Sequence, residues 1–169
     1  MDVVKKILSG KLFIYPTDTI YGLGCNALDV PAVQKLKDLK RRDKNKPLSV
    51  IAPSIKWIEE NLIVDVDLSK YLPGQYTLIL RKKKRNFLNH VAKGDTLGVR
   101  IPNCDFFKSI QLAKVPFITT SVNLSGESFA VSTSLIDEFI KSQVDEIIDG
   151  GVLNGRPSTL IFNGKEIKR

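Results

Sequence analysis

The chain is poor in the residues that build familiar reaction centres. It holds one histidine, His90, in "FLNHVAKG", with no nucleophile or ligand partner beside it in sequence. It has no G-x-S-x-G elbow and no H-E-x-x-H helix, which removes two hydrolytic patterns. "GLG" at Gly22 to Gly24 lacks the third glycine of a dinucleotide fingerprint, and "NGRPST" lacks the Gly-Lys-Ser/Thr of a phosphate-binding P-loop. Only two cysteines occur, Cys25 and Cys104. They lie far apart, form no metal-type spacing and fit a reducing compartment as plain apolar filler. No apolar run reaches the roughly 18 residues of a membrane span. The N-terminal "MDVVKKILSGKLFIY" carries charges where a signal peptide has its apolar region. A cytoplasmic protein, away from membranes, is expected. Carboxylates are plentiful, but no two pair for acid–base work, and Asp18 alone sits inside a candidate loop.

What is present reads as a folded α/β protein. The 169 residues favour one domain, 1–169, with a real core, and a hydrophobic fraction of 43% is ordinary for a globular chain. The 26 Lys and Arg against 18 Asp and Glu give a formal charge of +8, which suits a phosphate-rich partner or substrate. Strands and helices alternate. "VVKKIL" reads as a helix that stops at Gly10, and "KLFIY" as a buried strand. "DVPAVQKLKDLKRR" reads as a helix capped by Asp29, with Pro31 in its first turn and a stripe of Val33, Leu36 and Leu39. "LSVIA", "YTLIL", "LGVRI", "FITTS", "DEIID", "STLIF" and "EIKR" read as strands. "SIKWIEENL" (capped by Ser54), "CDFFKSIQLAK" and "STSLIDEFIKSQ" read as helices. The basic run "RKKKR", Arg81 to Arg85, reads as an exposed loop after "YTLIL". The pattern predicts helices against a largely parallel or mixed sheet.

Polar residues gather at strand ends. "LFIY" leads into "PTDTIYGLG", "LGVR" into "IPN" and "FITT" into "SVNLSG", while "DGGVLNGRPST" precedes "LIF". Ligands of open α/β sheets bind at such an edge. "KRRDKNKP" at the end of the second helix adds Lys40, Arg41, Arg42, Lys44 and Lys46; read alone, it is a solvated helix end. Cations and hydroxyls without a general base suit transfer of a nucleotidyl group to a nucleophile that is already an anion. Such a reaction needs alignment and neutralised phosphates, not proton removal.

These motifs, in this order and spacing, make the chain similar to the YrdC-like family of threonylcarbamoyl-AMP synthases. The resemblance runs from "LFIYPTDTIYGLGCNA" through "LKRRDKNKPLSV", "LPGQYTLIL", "LGVRIP" and "TTSVNLSG" to "IDGGVLNGRPSTLIF". The family's K-x-R pattern falls on Lys40 and Arg42, and its S-x-N pattern on Ser121 and Asn123. The resemblance implies a single-domain YrdC-like fold, a strongly twisted open mixed sheet flanked by helices around a basic cavity. It implies that L-threonine, bicarbonate and ATP give threonylcarbamoyl-AMP and pyrophosphate, with magnesium accompanying the ATP. A separate transferase partner would then pass the threonylcarbamoyl group to the adenosine next to the anticodon of certain tRNAs.

Residue by residue, the resemblance implies that Thr19, Arg100, Thr119 and Ser158 hold L-threonine, with Arg100 on its carboxylate. Lys40, Arg42, Lys46, Ser121 and Asn123 would serve ATP, joined by Arg169 at the chain's end. No metal ligand is assigned. Two positions depart from the family: Gln75 stands where proline is common, and Ile51 where longer members have a histidine. Two other functions compete with the synthase. An RNA-binding module of the same fold without synthase activity would use the +8 charge and "RKKKR", but the chain has no ordered aromatic stacking set. A carbamoyl-adenylate enzyme for another substrate would not need the threonine-side residues.

Overall fold

A computed structural model describes residues 2–167. Four of its five described α-helices begin where a short polar side chain meets the free backbone N–H groups of a first turn. Asp2 caps α1 (Val3–Leu8), accepting from Val4 N. Asp29 caps α2 (Val30–Leu39), accepting from Ala32 N at 3.0 Å, and Pro31 lies in the first turn. The Ser54 hydroxyl accepts from Trp57 N at 3.1 Å and opens α3 (Ile55–Asn61). Helix α4 (Phe106–Ala113) ends on Lys114 in the left-handed region. Helix α5 (Glu138–Gln143) starts at Asp137, whose carboxylate accepts from Phe139 N and Ile140 N.

The strands are β1 (Phe13–Tyr15), β2 (Gly22–Gly24), β3 (Ser49–Ile51), β4 (Leu62–Ile63), β5 (Tyr76–Lys82), β6 (Thr96–Arg100), β7 (Phe117–Ser121), β8 (Glu146–Ile147), β9 (Thr159–Phe162) and β10 (Lys165–Ile167). They form one open mixed sheet in the order β10-β9-β5-β6-β3-β7-β2-β1-β8, with β4 beside β5. The pairs β1–β8, β3–β6 and β5–β9 are parallel, and the remaining pairs antiparallel.

Alternation along the strands sorts the side chains onto two faces. Val50, Leu78, Leu80, Val99 and Ile118 join the larger core with Val33 and Leu36 of α2 and Ile58 of α3. Ile51, Phe117, Phe13 and Tyr15 turn the other way, against Ile7 of α1 and Phe106 and Ile110 of α4. Ser49 lies two residues before Ile51, and Thr119 two after Phe117, so both share that second face where it runs past the small core. There the face carries hydroxyls, and there the site forms. Both cysteines match plain packing: burial pushes the Cys25 thiol up to about 12 and raises that of Cys104.

Four local readings change. "STSLIDEFIKSQ" is not one helix: a single 3-10 turn, Thr133–Leu135, gives way to extended Ile136, because the Asp137 cap restarts the helix. "GLG" is a strand, β2, although its glycines carry no strand signal. "DEIID" shortens to the two residues of β8. "RKKKR" is not a wholly exposed loop. Strand β5 continues through Arg81 and Lys82, and alternation turns Lys82 inward to 5% exposure. Its ammonium donates to Ala92 O at 2.5 Å, and desolvation lowers its pKa. Lys83, Lys84 and Arg85 stay exposed.

Candidate functional site

The segment after β1 folds back on its own hydroxyls. Thr17 Oγ1 donates to Ile20 O at 2.7 Å and accepts from Thr19 N at 3.1 Å. The Thr17 and Thr19 hydroxyls lie 2.9 Å apart. Since Thr17 has one proton and gives it to Ile20, Thr19 donates to Thr17. Thr19 Oγ1 in turn accepts from Arg100 Nη1 at 3.2 Å. One chain of polarity therefore runs from Arg100 through Thr19 to Thr17.

Arg100 closes β6 and is 4% exposed. Its Nη2 donates to Asp18 Oδ1 in a buried ion pair, and to Gly74 O at 3.1 Å. The other oxygen, Asp18 Oδ2, accepts from Asn103 N at 2.9 Å. Gln75 Nε2 donates to Asp18 O at 2.6 Å, so the residue that departs from the family braces this loop. Asp18 is thus a brace and the counter-ion of Arg100. The Arg100 Nε is buried and has no hydrogen-bond partner among the described residues. A buried guanidinium N–H left unmade is costly, and a ligand oxygen would satisfy it.

Ser158 lies just before β9, at the N-terminal rather than the C-terminal end of its strand. Its hydroxyl is 2.6 Å from Thr77 Oγ1 of β5. Its loop presses close to the opening segment: a Cβ on Gly155 would stand 1.8 Å from Thr19 O. Thr119 and Ser121 come from β7. The buried Tyr15 hydroxyl behind Thr119 donates to Ile118 O at 3.3 Å, and burial raises its pKa. Ser121 Oγ donates to Asn123 Oδ1 at 2.8 Å.

The cations of "KRRDKNKP" separate on folding. Lys40 is 1% exposed. Its ammonium donates to Ser121 O, to Asn123 O at 2.9 Å and to Asn123 Oδ1 at 2.9 Å. Desolvation, then the charges of Arg42 and Lys46, push its pKa down to about 7. It lines neither cavity described below; it clamps the "SVN" loop from behind. Asn123 Nδ2 donates to Glu127 O at 2.7 Å, within the same loop. Arg42 donates through Nη2 to Pro47 O at 2.6 Å and through Nε to Lys46 O at 3.4 Å, which shapes the turn that carries Lys46.

Two cavities follow. The smaller, about 50 Å³, is lined by Thr17, Thr19, Arg100, Thr119, Ser121 and Ser158, among others. The larger, about 460 Å³, is lined by Arg42, Lys46, Ser49, Thr96, Thr119 and Ser121, among others. They share a wall. Thr19, Arg100, Thr119, Ser121 and Ser158 line one cavity, whereas Arg42, expected beside them, and Lys46 stand at the neighbouring one. Lys40 and Asn123 lie behind the wall, and Arg169 lies outside the described residues. Thr17, Ser49, Thr77 and Thr96 were missed. Thr77 was visible as a hydroxyl inside the apolar run "YTLIL".

Hydroxyls around one buried arginine, beside a cavity edged by two cations, form a candidate site with the chemistry for small anionic ligands on an open α/β sheet. The profile named Sua5_yciO_yrdC, described as telomere recombination, matches residues 5–168. The chain belongs to this Sua5/YciO/YrdC family. It is 40% identical over 162 residues to a Methanocaldococcus jannaschii protein provisionally named threonylcarbamoyl-AMP synthase, covering 93% of this chain and 76% of that one. It is 34% identical over 164 residues to the threonylcarbamoyl-AMP synthase of Pyrococcus abyssi, covering 92% of this chain but only 48% of that protein. The structure of P. abyssi Sua5 complexed with L-threonine superposes with a TM-score of 0.82 at 30% identity, over 96% of this chain and 50% of that one. This chain therefore spans about half the length of the P. abyssi protein.

Proposed function

We propose that the protein is an L-threonylcarbamoyladenylate synthase, a nucleotidyltransferase that joins L-threonine, bicarbonate and ATP into threonylcarbamoyl-AMP and pyrophosphate. The observation that carries this reading is the joining of two unlike cavities. One offers an unpartnered arginine N–H and several hydroxyls; the other offers Arg42 and Lys46. The donors of the first suit the carboxylate and polar groups of an amino acid and those of the second a polyphosphate, with the reacting ends at the shared wall.

In this reading Arg100 takes the threonine carboxylate through its free Nε. Thr19, Thr119 and Ser158 orient the amino and hydroxyl groups. The amine and bicarbonate give a carbamate and water. A carbamate oxygen then forms a bond to the α-phosphorus of ATP while the bond to the β-phosphate oxygen breaks, and pyrophosphate leaves with the electron pair. The carbamate is already an anion, so the step needs no general base. Arg42 and Lys46 neutralise charge that builds on the phosphates, and preorganised cations do this without reorganising solvent. Ser121 meets the nucleotide, while Lys40 and Asn123 act by holding its loop. Magnesium would arrive with the ATP. Among the described residues no three of His, Cys, Asp and Glu stand together as a metal site.

The product would go to a transferase partner that modifies tRNA, and a cytoplasmic location accompanies that role. No described helix is long and apolar enough to cross a membrane. An RNA-binding module without synthase activity gives no use to a buried Arg100 with a free N–H. The test is pyrophosphate release by the purified chain. It should require L-threonine and bicarbonate together. An equal rate with serine, or with no amino acid, sinks the assignment.

A further inference from the structure

The two cavities meet along one strip. Ser49, Thr119, Thr120 and Ser121 line both, and no other residue is common to them. Ser49 opens β3, paired with Thr119 on one side and Gly98 on the other. Gly98 has no positive φ that would call for glycine; its reason is space. A Cβ there would lie 2.4 Å from Ser49 Oγ. The missing side chain leaves the place that this hydroxyl fills, and the hydroxyl makes no hydrogen bond among the described residues. Ser121 differs, since its hydroxyl donates to Asn123 Oδ1 at 2.8 Å.

A half-buried donor with no partner, held over a glycine on the strip that two cavities share, has a chemical meaning. Resting on the synthase reading, the atoms that bridge the amine and the α-phosphorus are the single carbon of bicarbonate and its oxygens. That one-carbon unit must lie on the shared strip. We infer that Ser49 donates a hydrogen bond to the carboxylate of bicarbonate and of the carbamate formed from it. The contact holds one oxygen and leaves the other aimed at phosphorus.

The experiment varies one substrate at a time in pyrophosphate release by the full chain. The unaltered protein must show release that depends on threonine and bicarbonate; absence of that dependence overturns both this inference and the synthase reading. With that dependence in place, Ser49→Ala should raise the bicarbonate KM on the order of tenfold, the worth of one hydrogen bond to a charged group. The KM values for threonine and ATP should stay within about twofold. Gly98→Ala, which crowds the hydroxyl without removing it, should show the same selective loss. An unchanged bicarbonate KM in either variant, or an equal rise in all three KM values in Ser49→Ala, overturns the assignment of Ser49 while leaving the synthase reading intact.

Discussion

Replacing Asp18 by asparagine tests the buried pair most directly. The side chain keeps its size but loses its charge, and an amide offers one acceptor where the carboxylate offered two. Either Arg100 Nη2 or Asn103 N then faces an N–H group. The side chains of Arg100 and Asp18 are only 5% and 11% exposed, so solvent repairs little of this. Removing one partner of a buried pair costs about 3–5 kcal/mol. The Gly74 carbonyl and the amide dipole offset part, which leaves roughly 2–4 kcal/mol. For a chain of this size each kcal/mol shifts Tm by about 2–4 °C, so Asp18→Asn should melt roughly 4–16 °C lower. Saturating L-threonine should recover part of that loss, because its carboxylate becomes the counter-ion of the guanidinium. L-threonine methyl ester, with no carboxylate, should not. A variant that melts within about 2 °C of the parent, with an unchanged response to threonine, would refute the reasoning: the pair would be solvated and idle.

Arg42→Ala removes a cation at the larger cavity and loosens the turn of Lys46. The expected loss is about 2–4 kcal/mol of transition-state stabilisation, a rate fall of roughly a hundredfold or more; a change below about threefold in pyrophosphate release returns Arg42 to a solvated helix end. Lys40 gives a pH test, since its folded pKa, about 7, lies below the unfolded lysine value. Between these values the unfolded chain binds the extra proton, so this term raises stability with pH above about 7, by up to about 1.4 kcal/mol per unit. The unfolding free energy of the parent minus that of Lys40→Met should rise across that window, and a flat difference would show that Lys40 titrates as an exposed lysine.

The parts of the fold legible in the sequence were those set by neighbours in the chain. Asp29 and Ser54 announced helix starts because a cap needs only a side chain and the next turn. The apolar stripe of α2 announced its buried face. Strand β2 was not legible, because its reasons are distant. Gly22 lies under the Tyr15 ring, where a Cβ would stand 2.7 Å from ring carbon, and a Cβ on Gly24 would stand 2.0 Å from Ile118 O. Two glycines with no strand preference are extended there because nothing larger fits. Lys82 misled for a related reason: five cations in a row read as solvent-exposed, yet pairing of β5 with β6 and β4 fixed which of them turned inward.

Site residues were legible by type and motif, but their partners were not. Asp18 and Arg100 are 82 residues apart, and Lys40 reaches Ser121 and Asn123 across 81 and 83. Read singly, Lys40 and Arg100 are both free cations awaiting an anion. Folded, Lys40 gives its donors to the "SVN" loop, and Arg100 shares its charge with Asp18. What remains toward a ligand is one Nε of Arg100, the cations Arg42 and Lys46, and the hydroxyls between them. Such a site attracts anions less by net charge than its basic sequence suggests, and more by fixed donors at fixed places. That suits a reaction whose difficulty is alignment, since donors already held in place need not reorganise as charge moves onto the phosphates.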